Sequence, residues 1–251
     1  VRKGPLMTDN SSYQETFLSS LPFDFTSADK RVWEEISVEL IADVPMRRLL
    51  QGDVGSGKTL IGALAALHAK SNDWQTALLC PTEILAEQHF SSFKGWFENV
   101  GIKVCLLTGS TKSKDRKLII EDLEKGNIDI LIGTHAIFQL GINFHKLGLT
   151  IIDEQHRFGV HQRFSMLEKG GETNQSPHQL IMTATPIPRT LAMTVYGSLE
   201  TSIIDELPPG RNPVQTSSRP DKLREKVIKR VEEVCSTGKR AYCCLLYTSP
   251  S

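Results

Sequence analysis

The run Gly52-Asp53-Val54-Gly55-Ser56-Gly57-Lys58-Thr59 fits the pattern GxxxxGK[ST], in which the chemistry dictates the residue types. Glycines let the backbone curl until its N–H groups face phosphate oxygens, and side chains there would block that approach. Lys58 offers a positive charge to the terminal phosphates, and Thr59 offers a hydroxyl to a magnesium ion. A helix opening at Lys58 would aim its positive end at the same place. A second group closes the apolar run Leu149-Thr150-Ile151-Ile152, which ends in the paired acids Asp153-Glu154. In enzymes with such a phosphate loop, the first acid holds magnesium and a neighbouring polar group positions the attacking water. Asp153 is therefore assigned to the metal and Glu154 to water activation. With Lys58 they are the expected catalytic residues of a nucleotide-hydrolysing site.

These groups need a scaffold. Apolar runs of strand length occur at Arg48–Leu50, Ala77–Cys80, Val104–Leu107, Ile128–Ile132, Leu149–Ile152 and Leu180–Met182. Between them lie helix-like segments at Lys58–Lys70, Glu83–Phe97, Lys114–Lys125, Val160–Glu168 and Pro188–Gly197. Strands apolar on both faces and alternating with helices predict an α/β domain, a parallel sheet flanked by helices. Such a sheet binds ligands at the carboxyl ends of its strands, which is where the phosphate loop and the paired acids fall. Residues 1–20 are polar and Ser-rich and read as a linker or frayed end; residues 21–205 form the main domain. The Pro- and Gly-rich stretch Leu207–Pro213 marks a linker. After it, a charged amphipathic helix over Asp221–Cys235 and a strand at Ala241-Tyr242-Cys243 read as the start of a second lobe, over 206–242.

The bulk numbers set bounds. Lys+Arg and Asp+Glu are both 29, so no basic excess drives nucleic-acid binding by charge alone. Five cysteines without metal-ligand spacing fit a reducing cytosol, so a cytoplasmic location is expected. The longest apolar stretch, Leu60–Leu67, is too short to span a bilayer, and no membrane partner is expected. The chain opens on Val1 without a signal-peptide pattern and reads as a fragment.

Further motifs give the domain a character. Pro81-Thr82-Glu83, Gly133-Thr134-His135, Asp153-Glu154-Gln155-His156 and Met182-Thr183-Ala184-Thr185-Pro186 each follow a predicted strand. They resemble motifs Ia, Ib, II and III of the superfamily 2 helicases. The longer runs DEQHRFGVHQR (Asp153–Arg163), MTATPIPRTLAMTVYG (Met182–Gly197) and DELPPGR (Asp205–Arg211), with Leu21-Pro22-Phe23, resemble the RecG family of bacterial helicases that remodel branched DNA. The resemblance spans about residues 21–242. It implies a RecA-like fold, ATP with Mg2+ as cofactors, and branched DNA, forks and junctions, as the partner of a monomeric motor. It also implies that His156 and Thr183-Ala184-Thr185 couple phosphate state to movement. Pro81, Thr82, Glu83, Gly133, Thr134 and His135 would then lie along the tracked strand, where such contacts position without reading sequence. Phe23, the residue at 29 and Arg31 would hold the base.

Three features depart from that pattern. Asp29 stands where the family has Gln, and a carboxylate accepts but does not donate, which puts adenine selectivity in doubt. The second motor lobe and the DNA wedge expected of the family are not in this chain, so weak turnover is expected of it alone. Residues 243–251 leave the family pattern and read as a non-native tail. Two other readings stay open: a translocase on double-stranded DNA resembling Mfd, and a nucleotide-binding module without catalysis.

Overall fold

The computed structural model describes residues 3–9, 11–19, 21, 25–138, 141–154, 175–185, 199–206 and 216–242. The chain divides into two units, Val1–Pro209 and Gly210–Ser251. In the first, seven strands form one sheet: β1 (Arg47–Gly52), β2 (Gln75–Leu79), β3 (Val104–Leu107), β4 (Ile130–Gly133), β5 (Leu147–Asp153), β6 (His178–Thr183) and β7 (Glu200–Ile204). Their order is β3-β4-β2-β5-β6-β1-β7, and every pairing is parallel. Among the described residues, five α-helices accompany them: α1 (Ser11–Ser19), α2 (Ser27–Leu40), α3 (Lys58–Ser71), α4 (Glu83–Phe97) and α5 (Ser113–Glu124).

Successive strand residues point to opposite faces, so runs apolar throughout supply two cores. Leu50, Leu78, Ile151 and Met182 pack with α2, α3 and α4, while Leu49, Leu79, Ile152 and Ile181 pack on the other side with Leu123 of α5. In α3 every residue from Leu60 to Ala69 is buried, which its alanines allow, because a helix apolar all round can bury only if its side chains are small enough for close approach. Thr26 starts α2 with a capping box: its hydroxyl accepts from the Asp29 amide, and the Asp29 carboxylate accepts from the Thr26 amide.

Two buried polar groups tie the layers. Arg48 of β1 donates to both carboxylate oxygens of Glu39, at 2.6 and 3.0 Å, to Glu35 at 3.2 Å and to Ser202 at 2.7 Å. One guanidinium thus joins α2 to β1 and β7. Glu35 and Glu39 keep some contact with water, so Arg48→Leu is expected to cost about 2–3 kcal/mol of stability in urea denaturation. His178 is fully buried; its Nδ1 accepts from the Met46 amide at 2.9 Å and its Nε2 faces the Pro5 carbonyl at 3.2 Å. That pairing requires the neutral ring. Burial pushes its pKa from 6.5 down to about 4, against a smaller upward pull from the Pro5 carbonyl. The unfolded chain therefore takes up this proton first, and stability is lost as pH falls from about 6.5 toward 4. The expected loss is about 3 kcal/mol across that window. His178→Asn keeps an acceptor near Nδ1 and cannot titrate, so its urea midpoint should fall less over the same pH range.

Residues 1–20 are not a bare linker. Gly4 donates to Asp43 and Ser176 to Lys3, and Met7 and Phe17 are buried. Gln14 of α1 bridges the His68 ring and the Trp33 indole N–H in the interior. Ser-rich composition hid a helix held by one amide and one aromatic ring. β7 also escaped the pattern, because only Ser202 and Ile204 of Glu200–Ile204 are buried.

In the second unit, a 3-10 turn at Asp221–Leu223 leads into α6 (Arg224–Ser236), close to the expected helix. Leu223, Val227, Val231 and Val234 recur along it at helical spacing, and none of its residues is buried. Ala241 and Tyr242 carry no strand, since a strand forms only beside a pairing neighbour. Residues 243–251 lie outside the described ones. No helix among the described residues is long and apolar enough to cross a membrane.

Candidate functional site

β1, β6 and β5 are neighbours, and their carboxyl ends bring the chemistry together. Gly52 ends β1, the loop follows, and α3 opens at Lys58. Gly57, the residue before α3, has φ +98°, and a Cβ there would lie 2.9 Å from Asp29 Oδ1. Only glycine fits both the conformation and the space. No side chain caps α3 among the described residues; the Leu60 amide of its first turn donates to the Gly57 carbonyl at 2.9 Å. Lys58 Nζ donates to the carbonyls of Gly52 at 2.6 Å and Asp53 at 2.8 Å, folding back over its own loop. Burial lowers the Lys58 pKa, while the charges of Asp153, Glu154 and Asp53 oppose that shift.

Asp153 ends β5, paired in register with Met182 of β6; Thr183 pairs with Gln51 beside the loop. Asp153 Oδ2 meets Nε2 of His89, from α4, at 2.8 Å, and both residues are buried. Glu154 turns sharply, with φ 51°, a left-handed conformation that a non-glycine residue adopts at a cost. Its amide donates to the Met182 carbonyl at 2.9 Å, and its carboxylate accepts from the Ala184 amide at 2.8 Å and the Thr183 hydroxyl at 3.4 Å. Thr183 in turn accepts from the Thr185 amide at 3.1 Å. The bend at Glu154 is thus held by the segment that follows β6.

Between these ends lies a cleft of about 330 Å3. Lys58 and Thr59 line one wall, Asp153, Glu154 and Ala184 another, and Gln88, His89 and Ser92 of α4 the side facing the loop. Thr59 and Asp153 offer hard oxygen donors, which suit magnesium. Among the described residues no cluster of three or more His, Cys, Asp or Glu forms a protein cage for a metal. The buried Ser56 hydroxyl in the loop has no partner among the described residues and lies against Gly52, where a Cβ would stand 2.4 Å from it.

Residues 30–194 match the DEAD/DEAH box helicase family. The chain belongs to that family. It is also similar to the ATP-dependent DNA helicase RecG of Escherichia coli (strain K12), with 53% identity over 97% of this chain and 36% of that protein. RecG of Haemophilus influenzae is 55% identical over 90% of this chain and 33% of its own length. A solved structure of RecG bound to a three-way DNA junction superimposes with a TM-score of 0.82 and 42% identity, over 94% of this chain and 31% of that one. The chain spans about a third of the length of the curated relatives it matches.

In this family member the other half of the sheet leads to the segments Pro81–Glu83 and Gly133–His135. β3, β4 and β2 are neighbours, and Pro81–Thr82 and Gly133–His135 leave their carboxyl ends on one edge. Thr82 is exposed, and its hydroxyl caps α4 by accepting from the Leu85 amide at 3.3 Å. Gly133 pairs with Leu79 and Leu107, and a Cβ on it would lie 1.9 Å from the Leu107 carbonyl oxygen, so the tight strand exit requires glycine. The Thr134 hydroxyl is buried without a partner among the described residues, and His135 is exposed. Glu83, at the start of α4, reaches the loop after β3. Its carboxylate accepts from the amide and hydroxyl of Ser110, at 3.1 and 3.0 Å, and fixes the loop after β3.

Of the expected base-holding residues, Asp29 and Arg31 are not among those lining the cleft. Asp29 caps α2 through one oxygen and presses its other, unpartnered oxygen toward Gly57. Arg31 binds the Ile203 carbonyl at 2.9 Å and Asp205 at 2.8 Å, and the Asp205 hydrogen bond raises its pKa. Phe23 and His156 lie outside the described residues. Two residues escaped the sequence reading: His89, a lone histidine inside a helix, and Ser110, whose partner is 27 positions away. Helical spacing places His89 on the buried stripe Ala86, His89, Phe93, Phe97, a signal for burial but not for its acidic partner.

Proposed function

We propose that this chain is the ATP-hydrolysing motor lobe of a DNA helicase that remodels branched DNA. The observation that carries the reading is the hold of Thr183 and Ala184, at the end of β6, on the Glu154 carboxylate, one strand from the phosphate loop after β1 and two from β2, which leads to Thr82. Lys58, released from the Gly52 and Asp53 carbonyls, would take the terminal phosphates of ATP. Thr59 and Asp153 would hold magnesium, which when bound neutralises charge on those phosphates. Glu154 would orient the attacking water and take its proton. A change in what Glu154 holds is felt at once by the Thr183–Ala184 amide and hydroxyl, and so by the segment after β6. Thr82, Thr134 and main-chain N–H groups at the β2 and β4 ends would hold backbone phosphates, which lets a chain of zero formal net charge engage DNA. The same contacts make no demand on sequence.

The reading is tested by strand release from a fluorescent three-way junction, in a protein of the relatives' full length carrying this sequence. Release with ATP, none with a non-hydrolysable analogue, and little from a plain duplex is the expected outcome. Movement along plain duplex without junction release would favour a translocase instead, and nucleotide binding without either would reduce the chain to a binding module.

A further inference from the structure

Resting on that reading of Asp153 as the magnesium carboxylate, we infer that His89 is a positioning residue that sets the direction of the Asp153 carboxylate. A carboxylate oxygen only accepts, so the 2.8 Å contact makes His89 Nε2–H the donor and fixes one oxygen, Oδ2. The other oxygen is left to the cleft. A carboxylate that spins about its Cβ–Cγ bond loses that distinction, and a second partner on a metal ligand is a recurrent way to remove the freedom.

The ring is itself held in place. It packs edge-on against Phe93 at 6.4 Å between centroids; Phe93 meets Phe97 at 5.7 Å, and Phe97 stacks on Phe17 of α1 at 5.1 Å. A row of buried rings therefore backs the imidazole, and α4 carries it as part of a 15-residue helix capped at Thr82. His89 also lines the cleft beside Gln88 and Ser92, so its influence reaches the ligand space and not only the core.

The test is Mn2+ affinity in the presence of a non-hydrolysable ATP analogue, read by electron paramagnetic resonance of free Mn2+. His89→Phe keeps the ring packing and removes the donor, and should weaken Mn2+ binding about 10- to 100-fold. His89→Gln returns an N–H near the same place and should recover most of that loss. In an Asp153→Asn background, His89→Phe should have no further effect, because the group it aims is gone. Unchanged Mn2+ affinity in His89→Phe, or an equal loss with and without Asp153, would overturn the inference and leave His89 as packing between α4 and β5. If Asp153→Asn alone leaves Mn2+ binding unchanged, the metal assignment fails first and the inference falls with it.

Discussion

Glu154→Gln is expected to bind nucleotide as the unsubstituted chain does and to lose turnover by about a hundred- to a thousandfold. The substitution keeps length and shape. Its amide oxygen still accepts from the Ala184 amide, at 2.8 Å in the parent, so the left-handed turn keeps its main support. What disappears is the basicity that takes a proton from water. Single-turnover hydrolysis beside a fluorescent-nucleotide titration separates the two quantities. Loss of binding in step with turnover would mean that Glu154 serves the nucleotide's seat and not its chemistry.

Lys58→Ala should raise the dissociation constant for ATP by about two orders of magnitude, close to 3 kcal/mol of lost charge-assisted hydrogen bonding. The fold should be indifferent. Lys58 Nζ bonds only to the Gly52 and Asp53 carbonyls among the contacts described, and Asp53 is exposed, so water can replace it. Burial has already lowered the Lys58 pKa, which marks an amine held partly out of water and ready for a stronger anion. Equal thermal melting of variant and parent without nucleotide, with a smaller rise in melting temperature when ATP is added, is the expected pattern.

Six of the seven strands, β1 to β6, were legible because their cores are apolar on both faces; β7, half exposed, was not. α4 runs Glu83–Phe97 as its sequence suggests, since Thr82 caps it and Ala86, Phe93 and Phe97 recur at helical spacing. The phosphate loop and paired acids were legible because glycine and charge at fixed spacing have few other uses. Long-range polar pairing was not. Nothing near His89 in sequence announces Asp153, 64 positions on, and nothing near Glu83 announces Ser110. Asp29 carries a local role that the motif comparison did not offer. One carboxylate oxygen closes a capping box on α2, and the other has no partner among the described residues. The helix at Ser11–Ser19 was hidden because a single buried amide, Gln14, anchors a segment that composition alone marks as a linker.

The central claim is that nucleotide turnover at Lys58, Asp153 and Glu154 answers to DNA. Its most direct test is steady-state ATP hydrolysis with and without three-way junction DNA, in a full-length protein carrying this sequence, beside its Lys58→Ala form. Hydrolysis that rises many-fold with the junction and vanishes in the variant is the predicted result. ATP binding that depends on Lys58, with hydrolysis indifferent to DNA, would contradict it.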